Sequence, residues 1–120
     1  MIHVRLIKMA EITDEFMRQI LGASKDYCIV LLKTKRGIKK AGAEKIIWEH
    51  GRRNFFLRAE GKLPIVFRVT DDSNLAGIGI FNATEDEVKA ILEEDPAVKA
   101  GIFACEIHPC KSFPGDCLPA

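Results

Sequence analysis

His50 is the side chain whose type most invites chemistry, because an imidazole exchanges protons near neutrality without any perturbation of its pKa. Ala43, Ile46, Ile47, His50, Asn54 and Leu57 recur three or four residues apart and form one stripe of a helix. His50 is thus expected to face a sheet rather than bulk water. There it could serve as a general base or acid in a cleft, or be satisfied by a core hydrogen bond. Gly51 beside it is a poor interior helix residue and suggests a kink or a close approach. Arg68 lies on the opposite side of its strand from Phe67 and is the candidate for holding an anionic substrate, unless its stem carries the charge to the sheet edge. The tail supplies Cys105, His108, Cys110 and Cys117, types that suit zinc. Their spacing does not, since Cys105 and His108 fall on opposite sides of a strand, so neither metal nor cofactor is expected. Buried thiols or a Cys110–Cys117 disulfide are simpler readings.

The elements that must position these groups follow from periodicity. Ile2, Val4 and Leu6 suggest a short strand, and Phe16, Met17, Ile20 and Leu21 a helix capped by Thr13. Tyr27 to Thr34 reads as a strand apolar on both faces, which requires burial on two sides. Lys35 to Gly42 is a basic, glycine-punctuated loop, able to hold an anion but without P-loop spacing. The helix from Ala43 ends at Gly61, and strands follow at Leu63–Val69 and Leu75–Phe81, with Asp71-Asp72-Ser73-Asn74 as the turn. Gly77 and Gly79 share a face of the second of these strands and leave room for a close approach by a helix, a partner or a ligand. Thr84 to Glu87 is a capping box opening another helix. Asp95 caps a turn begun by Pro96 and left at Gly101, before a last strand at Ile102–Pro109.

A chain of 120 residues, 48% hydrophobic, is long enough for one domain with a core that buries roughly two thirds of the unfolded surface. Eighteen basic and 17 acidic side chains leave a net charge of +1, so no global field recruits nucleic acid or an anionic membrane. No apolar run approaches the roughly 20 residues of a membrane helix, and the first residues lack a signal-peptide pattern. A cytoplasmic location with mostly reduced cysteines is expected. The organisation expected is an extension over 1–25, a domain over 26–111 and a tail over 112–120. Strand, helix, strand, strand, helix, strand is the βαββαβ order of a ferredoxin-like α+β sandwich, and the doubly apolar first strand implies a homodimer packed through its open sheet faces.

From Tyr27 to Lys111 the chain resembles the YciI-like (YCII-related) family of dimeric α+β barrel proteins. The resemblance rests on the apolar first strand, on His50 followed eleven residues later by Gly61, on the hairpin, and on Asp95-Pro96-Ala97-Val98-Lys99-Ala100-Gly101-Ile102-Phe103. It implies a small cytoplasmic dimer with a histidine and aspartate in a cleft. A Gly-Pro loop of the family is missing, since Gly61-Lys62-Leu63 runs straight into Pro64, and the family aspartate falls by position to Asp71 or Asp72. The implied function is an isomerase- or lyase-type proton transfer on a small molecule, without a cofactor, carried by His50 with Asp72 or Asp71. The alternative is a non-catalytic dimeric module that binds a small ligand or a partner in the same cleft.

Overall fold

The computed structural model describes residues 7–35 and 42–120. The strand expected at Ile2–Leu6 and most of the basic loop, 36–41, lie outside them. The chain divides into two compact units, Asp26–Lys111 and Met1–Lys25 together with Ser112–Ala120. No helix among the described residues is long and apolar enough to cross a membrane.

In the second of these units a 3-10 turn at Met9–Glu11 precedes helix α1, Asp14–Gly22. Thr13 starts α1 by accepting the Phe16 N–H at 3.1 Å, which satisfies one of the donors that a helix leaves free at its first turn. The apolar side of α1, formed by Phe16, Met17, Ile20 and Leu21, is exposed.

Apart from the outermost residues Lys25 and Ser112, the larger unit contains β1 (Lys25–Thr34), α2 (Ala43–Ala59), β2 (Ile65–Arg68), β3 (Leu75–Phe81), α3 (Glu85–Glu93), α4 (Pro96–Lys99) and β4 (Phe103–Ser112). The strands form one sheet in the order β2-β3-β1-β4. β3 runs antiparallel to both neighbours, with Val30 and Val66 each opposite Gly79. β4 is antiparallel to β1, since the Lys35 N–H reaches the Ile102 carbonyl at one end and Lys111 pairs with Asp26 at the other.

Alternation along paired strands puts Cys28, Val30, Leu32, Val66, Arg68, Gly77, Gly79 and Phe81 on one face. That face and the helices enclose the core. One cluster joins Cys28, Val30, Leu57, Leu63, Phe81 and Val88; a second joins Ala97, Ile102 and Phe103, with Ala43 and Ile46 packed against it. α2 ends where the sequence requires: Gly61 adopts φ +78°, and its N–H returns to the Arg58 carbonyl. The close approaches at Gly77 and Gly79 come from the same chain. A Cβ at Gly77 would stand 2.9 Å from the Phe67 carbonyl oxygen, and one at Gly79 3.0 Å from Leu63 Cδ1.

The barrel expected from the sequence is not formed. The sheet is open, bounded by β2 and β4, so the fold is α+β with a four-stranded antiparallel sheet and several helices. Closure would require β2 and β4 to meet with a consistent stagger and tilt. β2 has four residues and pairs with β3 alone. The two-sided apolar character of β1 is accommodated in the open sheet. Cys28 and Val30 enter the core, while Ile29 and Leu31 lie half-buried on the other face with Ile65, Ile78 and Ile80, beside exposed Phe67.

At the start of α3 the Thr84 hydroxyl accepts the Glu87 N–H at 3.2 Å, and the Glu87 carboxylate accepts the Thr84 N–H at 3.3 Å. Thr84→Ala removes this reciprocal cap and is expected to destabilise the protein by about 1 kcal/mol, seen as a lower urea midpoint at unchanged slope.

Candidate acid–base site

α2 delivers Leu57 to one core cluster and Ala43 and Ile46 to the other, and His50 falls between them. At the same seam α3 gives way to α4, and the residue that makes the transition is Asp95. Its backbone is extended, at φ −72° and ψ 128°, as the cap of a helix opened by proline requires. One carboxylate oxygen, Oδ1, accepts the N–H groups of Ala97 at 2.9 Å and Val98 at 3.2 Å. The other, Oδ2, lies 2.7 Å from His50 Nδ1. Only 3% of the Asp95 side chain and 13% of the His50 side chain are exposed, so the bond forms where water competes little. Arg53 adds a cation nearby, with Nη1 at 3.9 Å from the same oxygen.

Burial alone would push the Asp95 carboxyl up. The hydrogen bond and charge of His50, with the Val98 and Ala97 N–H groups, outweigh it and hold Asp95 below the ordinary carboxyl value of 3.8. Asp95 is an acceptor on both oxygens, so His50 Nδ1 carries the proton that joins them. When the ring is neutral, Nε2 keeps its lone pair and faces Asn54 Nδ2, 3.2 Å away, as an acceptor. The edge-to-face contact with Phe103, at 5.3 Å between ring centroids, fixes the remaining freedom of the ring. Cys105, half-buried, is the nearby thiol on β4. Burial, and then the charge of Asp95, push its pKa up to about 11, which makes it a poor nucleophile.

The pair opens on a cleft of about 660 Å³ between α2 and the helix-facing side of the sheet. Apolar side chains dominate its walls, among them Ile47, Phe55, Leu75 and Phe81, while His50, Asn54, Arg53, Arg68, Asp71 and Asp95 supply the polar points. Gly51 also lines the cleft, and a Cβ there would meet nothing within 4 Å. No close approach to Gly51 is therefore present among the described residues, and α2 continues through this position.

The carboxylate that touches His50 is Asp95, neither Asp71 nor Asp72. Asp71 lies on the rim, and its Oδ1 accepts both the hydroxyl and the N–H of Ser73. Those bonds hold its carboxyl below the ordinary value and commit it to the turn. Asp72 is exposed and is not among the cleft residues. Arg68 lines the cleft and makes no ion pair among the described residues. Asp95 as helix cap was legible in the sequence; its second role was not. The signal lay in the chemistry of the cap itself, which engages one carboxylate oxygen and leaves the other to accept a further donor. No three acidic, histidine or cysteine side chains among the described residues are grouped to hold a metal ion.

The chain matches no protein-family model and no curated protein. The resemblance to the YciI-like family does not stand: the barrel it implies is not formed, and no family match supports it. The function inferred through that family loses that support, and the buried His50–Asp95 pair stands on its own geometry.

Removal of the Asp95 carboxylate leaves His50 Nδ1 and two backbone N–H groups unpaired in a buried place. Asp95→Ala is expected to cost about 3 kcal/mol at neutral pH in urea unfolding. Asp95 has a depressed folded-state pKa, so its contribution is fully present above its unfolded value of about 3.8 and is lost as the pH falls through the lower folded value. The gap between wild type and Asp95→Ala should accordingly narrow in the acid limb, below that pH.

Proposed function

We propose that this protein is an enzyme of the isomerase or lyase kind, in which His50 and Asp95 act as an acid–base pair on a small, largely apolar molecule. The observation that carries this reading is the 2.7 Å bond between His50 Nδ1 and Asp95 Oδ2. It leaves Nε2 as the basic atom at the wall of a cleft. In this scheme Asp95 orients and does not receive the proton, since its oxygens already accept His50 and two backbone N–H groups. When Nε2 takes a proton, the imidazolium is stabilised by a carboxylate that was in place beforehand. Arg68, on the cleft lining, supplies a positive charge for an anionic group of the substrate.

A homodimer through the outer sheet face belongs to the same proposal. Ile29, Leu31, Ile65, Phe67, Ile78 and Ile80 form an apolar surface across three strands, and a second copy presents the same surface for self-complementary packing. The four cysteines, all free, suit the reducing cytoplasm.

The reaction can be sought by proton NMR in D2O, with a panel of small ketones, lactones and hydroxy acids monitored for exchange or elimination. His50→Gln, verified as folded by circular dichroism, should lower turnover of any active member about 100-fold or more. Retained turnover in His50→Gln would make the pair a structural tie between α2 and α4. Light scattering should give a dimer for the wild type and a monomer for Phe67→Glu; a wild-type monomer at micromolar concentration removes the dimer proposal.

A further inference from the structure

Asn54 narrows the substrate class, an inference that rests on the acid–base reading of His50. It sits four residues after His50 on the same side of α2, lines the cleft, and places its amide Nδ2 at 3.2 Å from His50 Nε2. In the neutral ring, the lone pair that would take a proton faces this neutral donor. Asp95 and Phe103 hold the imidazole from two other sides, so the ring has no room to swing toward a substrate. The group that must give way is the Asn54 amide.

A molecule that displaces this amide from Nε2 has two requirements to meet at once. It must offer Asn54 Nδ2 an acceptor, because a part-buried donor left unpaired is costly. It must also bring an acidic hydrogen to Nε2, a few ångströms away. A carbonyl oxygen and a hydrogen on the adjacent carbon satisfy both in one functional group. Apolar walls and the Arg68 charge suit a body that is apolar and carries an anionic group.

We propose that the substrate is a carbonyl compound of this kind, an apolar 2-oxo acid or close analogue, and that Asn54 donates its amide N–H to the carbonyl oxygen. The His50 Nε2 lone pair forms a bond to the proton on the carbon next to the carbonyl, and that C–H bond breaks. Its electron pair becomes the carbon–carbon double bond of an enolate, while the carbonyl π pair moves to oxygen. The new oxyanion is held by Asn54 Nδ2–H and the new imidazolium by Asp95. Return of the proton to the same or a neighbouring carbon restores neutral His50, so no oxidant or co-reactant is consumed.

Phenylpyruvate combines an aromatic body, a carbonyl, an acidic methylene and a carboxylate, and exchange of its C3 hydrogens with D2O can be followed by proton NMR. The wild type should accelerate this exchange above His50→Gln, and Asn54→Ala should lose about 100-fold of it, the effect of one missing oxyanion donor. Nitrogen-15 NMR of the His50 ring supplies the control: in Asn54→Ala the proton should stay on Nδ1 and the lone pair on Nε2, which separates loss of the donor from loss of the dyad. Exchange by Asn54→Ala at the wild-type rate, with His50→Gln inactive, overturns the role of Asn54 and leaves the acid–base pair standing. Exchange no faster in wild type than in His50→Gln overturns the carbonyl class. The acid–base reading itself fails only if His50→Gln also leaves every reaction of the wider panel unchanged.

Discussion

The hydrogen bond between His50 and Asp95 constrains everything around it. Two ionisable groups taken from water lose solvation that their mutual attraction only partly returns, and a well-packed apolar pair in their place is often as stable or more so. Such a pair persists only where every remaining valence is met. Here it is: the two carboxylate oxygens accept three N–H groups, with a guanidinium close by, and both ring nitrogens are engaged. The consequence reaches into the core, which is divided into two apolar clusters with the polar pair at their junction. α2, the α3–α4 transition and β4 must all be in register before that junction can close.

What the sequence disclosed was whatever local chemistry decides. The stripe containing His50, the arrest of α2 at Gly61, the Thr84 capping box and the Asp95-Pro96 start each depend on residues within a turn or so of one another. Their physical signatures therefore survive in one dimension. The partner of His50 lies 45 positions away, and nothing in the spacing of either residue encodes the distance between them. Asp71 attracted attention as a carboxylate near the right strand, but Ser73, two residues on, competes for it and wins.

The failure of the barrel expectation has the same root. A strand apolar on both faces states that both faces need cover, and is silent on whether the sheet curls to meet itself. Curling is decided by the edges, and here one edge is the four-residue β2, whose pairing with β3 is its sole ladder. The His50-to-Gly61 spacing likewise has a purely mechanical origin. A helix that must run past two core clusters and then turn into a strand needs a left-handed residue at about that distance, whatever its ancestry.

Gly51 lies within α2 and lines the cleft. In the interior of α2 it weakens the helix by about 1 kcal/mol relative to alanine, and since a Cβ would meet nothing there, no steric demand accounts for it. An alanine would fit the backbone and strengthen the fold. Its methyl group would also take volume from the cleft that Gly51 lines. The chain thus carries a small, avoidable weakness in the helix that bears His50, at a residue whose side chain would narrow the cleft. Firmness of the helix and room in the cleft are therefore set against each other at this residue, the kind of opposition from which trade-offs with stability arise.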